Sequence, residues 1–83
     1  MKPSAPDRPQ TPLGKYIETK RRAAGLSQVE LAERVGTSGG GISNWEKGGF
    51  VPSTRMLAAL ARSLPGADVG EMLALVDQQA VAQ

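Results

Sequence analysis

The feature that most constrains this 83-residue chain is a series of glycines that end its helical segments early. Gly25, Gly36 and Gly48 each follow a stretch in which apolar residues recur three or four positions apart, the spacing of one helix face. Glycine is favoured there because it adopts the left-handed conformation beyond a helix end without steric cost. Since no segment alternates like a strand, the sequence predicts an all-α fold, a compact bundle of five short helices.

The second and third helices are predicted on either side of Gly36. Ser27 and Glu30 have the spacing of a capping box, in which each side chain bonds a free backbone N–H at a helix start. Thr37 or Ser38 caps the next helix. Two helices of about two turns, joined by a glycine-containing turn of about three or four residues, form a helix-turn-helix.

The other helices carry start signals of the same kind. Thr11 is a capping residue and Pro12 suits the first helical position. Ser53 caps the fourth helix, and Asp68 with Glu71 repeats the capping pattern at the start of the fifth. The predicted core is apolar and comes from the first four helices: Leu13, Ile17, Leu26, Leu31, Val35, Ile42, Trp45, Leu57, Leu60 and Leu64.

The chain divides into three predicted regions. Residues 1–10 form a Pro-rich tail that is expected to be disordered, because it holds too little apolar material to pack. Residues 11–77 form the helix-turn-helix domain, and residues 78–83 are expected to fray. Phe50 and Val51, in the loop after the third helix, are expected to fold back onto the core.

Composition excludes most catalytic and metal chemistry. The chain has no cysteine and no histidine, so it lacks the commonest general base and the commonest metal ligands. We therefore predict no enzymatic activity, no metal and no cofactor. No apolar run approaches the roughly 18 residues of a membrane span, and no signal peptide is visible. The prediction is a cytoplasmic protein without a membrane partner.

The formal net charge of +2 is unevenly distributed. Residues 1–55 carry nine Lys or Arg and five Asp or Glu, whereas residues 56–83 carry one Arg and three acidic residues. A basic first part suits a polyanionic partner, and the acidic end does not. Charge alone is equally consistent with an ordinary solvated surface.

Residues 25–48 resemble the helix-turn-helix of the phage-repressor/Cro-like family of DNA-binding transcriptional regulators. They match the pattern Gly-Leu-Ser-Gln-x-x-Leu-Ala-x-x-x-Gly-x-Ser-x-x-x-Ile-Ser-x-Trp-Glu-x-Gly. With the flanking helices, the resemblance covers about residues 13–64. It implies a lambda-repressor-like DNA-binding domain whose partner is double-stranded DNA.

The resemblance also implies which residues meet DNA. The third helix would enter the major groove, and its candidate contact residues are Ser38, Gly39, Gly40, Gly41, Ser43 and Asn44. Gln28 would contact phosphate and brace this helix. Lys47 and Arg55 flank the third and fourth helices and are the predicted phosphate clamps. Arg21 and Glu46 occupy the positions of a structural ion pair.

The three glycines depart from the family pattern, which normally has polar side chains there. Glycine has no side-chain donor and cannot read base edges in that way. Either the backbone approaches DNA closely and Ser43, Asn44 and Lys47 supply the contacts, or the helix no longer reads sequence.

Alternatives follow from this departure. One is a protein-interaction module on a helix-turn-helix scaffold, with weak or no sequence-specific DNA reading. Another is a part of a longer regulator whose effector domain is missing from this sequence. The exposed side of the fifth helix, with Leu75 and Gln79, or the region of the fourth and fifth helices would form a homodimer contact. Alternatively, the fifth helix simply completes the core.

Overall fold

The computed structural model describes residues 10–48 and 50–81, with the backbone alone for residues 78–81. These residues form five helices: α1 (Pro12–Ala23), α2 (Gln28–Val35), α3 (Gly39–Lys47), α4 (Thr54–Ser63) and α5 (Val69–Val81). No strand occurs in the described ranges, so the all-α prediction is confirmed. Residues 1–9, the bulk of the predicted tail, lie outside the described residues, as do residues 82–83.

Local capping explains where the helices begin. The Ser27 hydroxyl accepts a hydrogen bond from the Glu30 N–H at 3.0 Å, and the Glu30 carboxylate accepts one from the Ser27 N–H at 2.8 Å. Of the two predicted caps for α3, Ser38 is the one used, and it accepts from the Gly41 N–H at 3.0 Å. The remaining predicted caps are also formed, by Thr11 for α1, Ser53 for α4 and Asp68 for α5.

The turn between α2 and α3 depends on Gly36. This residue has φ +85°, in the left-handed region, and its N–H donates to the Ala32 carbonyl at 2.8 Å. The Thr37 N–H donates to the same carbonyl at 2.9 Å. The two bonds satisfy the end of α2 within one turn, which lets α3 begin at once.

The core lies where the five helices meet. Its buried apolar residues are Leu13, Ile17, Leu31, Ala32, Val35, Ile42, Trp45, Leu57, Ala59, Leu60, Leu64 and Met72. Every predicted core residue except Leu26 is among them, and Leu26 packs against their edge. Met72 is fully buried, so α5 contributes to the core as well.

Phe50 and Val51 were expected to fold onto the core, and this expectation is wrong. Phe50 is 65% exposed and Val51 is 48% exposed. Pro52 is the residue of this loop that becomes buried, directly before the Ser53 cap of α4.

Two predicted boundaries also differ from the structure. Gln10 was assigned to the disordered tail, but its amide donates to the Glu18 carboxylate at 2.7 Å and to the Glu46 carbonyl at 3.0 Å. These two bonds fasten the chain to the folded body just before α1. At the other end, the backbone of α5 remains helical to Val81, beyond the predicted limit at residue 77.

Tyr16 connects α1 to the start of α5. Its hydroxyl donates to the Glu71 carboxylate at 2.6 Å and accepts from the Asp68 N–H at 2.9 Å. Burial raises the pKa of Tyr16 above its usual 10.0, and the hydrogen bond to Glu71 raises this pKa further. The folded state therefore retains this proton at a pH where the unfolded chain has lost it.

Tyr16 is the single tyrosine of the chain, so its titration can be followed by phenolate absorbance. We expect an apparent pKa above 10.0 that falls towards 10.0 in Glu71→Gln. Because the folded pKa is the raised one, the stability from this contact is present below pH 10.0 and decreases as the pH rises through the folded pKa. Glu33→Gln, which removes an exposed carboxylate of α2, should leave the titration unchanged. An unshifted Tyr16 in the wild type would contradict the contact.

Gly14 lies where α1 crosses the end of α3. It is buried, and a Cβ atom at this position would overlap the carbonyl oxygen of Glu46. The two helix backbones are therefore in direct contact, and only glycine permits that distance.

We expect Gly14→Ala to lower the free energy of unfolding by about 1–3 kcal/mol, because the two helices must separate. Gly40→Ala is the matched control, since a Cβ atom there meets no atom closer than 3.8 Å. This control should be neutral or stabilising by up to about 1 kcal/mol. Urea denaturation followed by Trp45 fluorescence measures both. Equal stability of the two variants would argue against the close helix crossing.

Candidate functional site

The third helix has two opposite faces. Its outer face is defined here by Gly40, Ser43, Asn44 and Lys47, which helical geometry places within roughly 100° of arc. Gly40, Asn44 and Lys47 are exposed, and Ser43 is half-buried. The opposite face holds Ile42, Trp45 and Glu46, all of them buried. The outer face therefore offers small, neutral and basic groups to solvent, and no acidic one.

The first turn of α3 is packed closely against α2 and the preceding turn. A Cβ atom at Gly39 would lie 3.1 Å from Cγ2 of Val29, and one at Gly41 would lie 2.7 Å from Oγ1 of Thr37. A Cβ atom at Gly40 would come no closer than 3.8 Å to its nearest neighbour, Oγ of Ser38, which is an ordinary van der Waals distance. Two of the three glycines thus permit tight packing, whereas the third leaves bare backbone on the surface.

Behind the outer face, the Glu46 side chain joins three helices. Its carboxylate accepts from Nε of Arg21 at 2.6 Å, from Nη2 of Arg21 at 3.2 Å and from Nε2 of Gln28 at 3.0 Å. Arg21 belongs to α1 and Gln28 to α2. Nη1 of Arg21 also donates to the Leu26 carbonyl at 2.8 Å. These contacts fix the position of α3 relative to the two preceding helices.

Both charged side chains of this cluster are buried. Arg21 is 9% exposed and Glu46 is 4% exposed. The hydrogen bonds that Arg21 donates to the Glu46 carboxylate raise the pKa of the guanidinium, so the cation persists despite its burial. Within the described part of the chain, every buried polar side-chain atom has a hydrogen-bond partner.

Gln28 is half-buried at the first position of α2. Its hydrogen bond to Glu46 connects the start of α2 directly to α3. An amide nitrogen carries two N–H groups, so a single Gln side chain can hold Glu46 and still offer a donor to another acceptor.

The two candidate clamps lie on either side of one loop. Lys47 is the exposed last residue of α3, and Arg55 is exposed in the first turn of α4. Glu46, the one acidic residue of α3, is buried and paired with Arg21. Positive charge on this side of α3 is therefore not neutralised by its own helix.

The predicted dimer contact on α5 stays a prediction. Leu75 is half-buried and lines a groove between α1 and α5 beside Tyr16. The Gln79 side chain lies outside the described residues. In the described ranges, no group of acidic side chains is arranged to hold a metal ion, and no helix has the length and apolarity that crossing a membrane requires.

Sequence comparison identifies the class of protein. A helix-turn-helix family model matches residues 17–67, which is more than half of the chain. The chain therefore belongs to the helix-turn-helix family, of the phage-repressor/Cro-like type that residues 25–48 resemble.

Individual relatives agree with this assignment. The chain is 39% identical over 49 residues to the ImmF control region 10 kDa protein of Bacillus phage phi105, covering 59% of this chain and 54% of that protein. It is 30% identical over 69 residues to human endothelial differentiation-related factor 1, covering 78% of this chain and 47% of that protein. The chain thus spans about half the length of these curated relatives.

A solved structure shares the fold. The P22 c2 repressor, in a crystal structure with synthetic operator 9T, superposes with a TM-score of 0.68 at 28% identity. The superposition covers 72% of this chain and 89% of the repressor chain. The two chains therefore share their fold over most of their lengths.

We expect Arg21→Met to lower the free energy of unfolding by about 3–5 kcal/mol, because it leaves the buried Glu46 carboxylate without its cation. The double variant Arg21→Met/Glu46→Met should recover much of this loss. Urea denaturation followed by fluorescence of Trp45, the single tryptophan, measures each step of the cycle.

Arg22→Met is the matched control. This neighbouring arginine is 70% exposed at its side chain and forms a surface pair with Glu18. Its removal should cost less than about 1 kcal/mol. Equal losses in Arg21→Met and Arg22→Met would show that the buried cluster is not what holds α3.

Proposed function

We propose that this protein is a DNA-binding transcriptional regulator that places the outer face of α3 in the major groove. The observation that carries the proposal is the division of α3 between a buried face and an outer face free of acidic groups. An α-helix fits the width of the major groove, so the outer face is the part that would meet base edges. The P22 c2 repressor, which shares this fold, is a protein crystallised with an operator.

Phosphate contacts would come from both ends of this surface. Lys47 and Arg55 would neutralise the negative charge of DNA phosphates. Contacts of this kind supply most of the affinity that does not depend on DNA sequence. Gln28 would donate its second amide N–H to a phosphate while the first holds Glu46.

Base contacts would come from the middle of the outer face. Asn44 is exposed and has the donor and acceptor pair that matches adenine in the major groove. Ser43 supplies one hydroxyl. Ser38 and residues 39–41 would contact the duplex through their backbone. Because glycine has no side chain, the first turn of α3 can approach DNA closely.

A protein-interaction module is the second candidate function. Phe50 and Val51 favour it, because both apolar side chains are exposed in the loop after α3. Exposed apolar groups of this kind occur at protein contacts when they form part of a larger patch. Salt dependence separates the two functions, since phosphate contacts weaken steeply with salt and apolar docking does not.

We expect Lys47→Ala/Arg55→Ala to weaken binding to random-sequence duplex DNA and to reduce the slope of log K against log salt by about two. Fluorescence anisotropy at several salt concentrations, beginning at low salt, measures both quantities. The control is Arg34→Ala/Arg62→Ala, which removes the same charge from two exposed positions near the ends of α2 and α4.

The control should keep the wild-type slope within experimental error. Unchanged affinity of Lys47→Ala/Arg55→Ala at low salt would contradict the assigned clamps. A wild-type protein that binds no duplex at any salt concentration would favour the protein-interaction module.

A further inference from the structure

Val29 is an exposed apolar side chain at the edge of the proposed interface. It occupies the second position of α2, directly after Gln28, and is 59% exposed. Valine is a poorer helix former than most residues, so helix propensity does not explain its presence on the surface.

Val29 packs against Gly39, in the first turn of α3. Its Cγ2 atom lies 3.1 Å from the position that a Cβ atom would take at Gly39. On the helical wheel, Gly39 lies on the flank of α3 between Glu46, which Gln28 contacts, and Ser43 of the outer face. The N-terminus of α2 therefore runs along this flank, and a larger residue at Gly39 would press on the valine methyl groups.

We propose that Val29 determines part of the DNA sequence preference by apolar contact with the 5-methyl group of a thymine. This inference rests on the proposed function, because it requires α3 to occupy the major groove. The thymine methyl group is the apolar feature of that groove, and it is recognised by apolar side-chain contact. Gly39 and Gly40 carry no side chain that would stand between Val29 and the bases.

Few other side chains on this surface could contact bases. Ser43 and Asn44 are the side chains of the outer face with neutral hydrogen-bonding groups. Neither of them is apolar, so methyl recognition falls to Val29. The contact separates thymine from cytosine and uracil, neither of which presents the methyl group.

The test begins with selection of preferred sites by the wild-type protein from a randomised duplex library. Each thymine of the selected site is then replaced singly by uracil, which removes one methyl group. We expect one position at which this replacement weakens wild-type binding by about fourfold, the effect of one buried methyl group. Val29→Ala should bind the thymine and uracil duplexes equally at that position.

Val51→Ala is the matched control, since Val51 is an exposed valine (48%) in the loop after α3. It should discriminate thymine from uracil as the wild type does. Thermal denaturation of each variant verifies that the fold is kept.

Three outcomes overturn the inference while the proposed function stands: Val29→Ala keeps the discrimination, no thymine position discriminates in the wild type, or selection enriches no site although salt-dependent binding is measured. Absence of salt-dependent binding to any duplex overturns the proposed function, and this inference with it.

Discussion

The buried ion pair between Arg21 and Glu46 is the interaction on which the placement of α3 depends. Nε of Arg21 in α1 lies 2.6 Å from a carboxylate oxygen of Glu46 in α3. The same carboxylate accepts a hydrogen bond from Gln28, which connects α2 to the pair. A buried pair adds little net stability once desolvation is counted, so its main effect is geometric. An isolated buried charge is costly, so a rearrangement that separates the pair while either charge stays buried incurs that cost. The buried contacts of Glu46 therefore determine the orientation of the outer face of α3.

Much of the fold follows from short-range chemistry in the sequence. The capping pair of Ser27 and Glu30 and the left-handed Gly36 each act within one turn, so local spacing was enough to place α2. Every core residue predicted from the apolar spacing is buried in the structure, except Leu26, which is partly buried. The choice between Thr37 and Ser38 as the cap of α3 required the actual backbone, because both residue types accept the same bond.

Contacts between distant residues were harder to predict. The Arg21–Glu46 positions came from a family resemblance and not from spacing, since nothing local relates residues 25 positions apart. Phe50 and Val51 were misplaced because hydrophobicity says nothing about the direction in which a loop leaves a helix. The role proposed for Val29 could not be predicted from the sequence, because it depends on the packing of this residue against Gly39.

Because its first turn is made of glycines, α3 depends for its order on contacts made by the rest of the helix. Glycine has a lower helix propensity than alanine, so residues 39–41 contribute little to the intrinsic helicity of α3. A helix of nine residues is too short to be stable alone in water. Its order therefore comes from the burial of Ile42 and Trp45 and from the Glu46 cluster, not from its first turn. Since stability and surface chemistry reside on opposite faces, the outer face can change its side chains without loss of the fold.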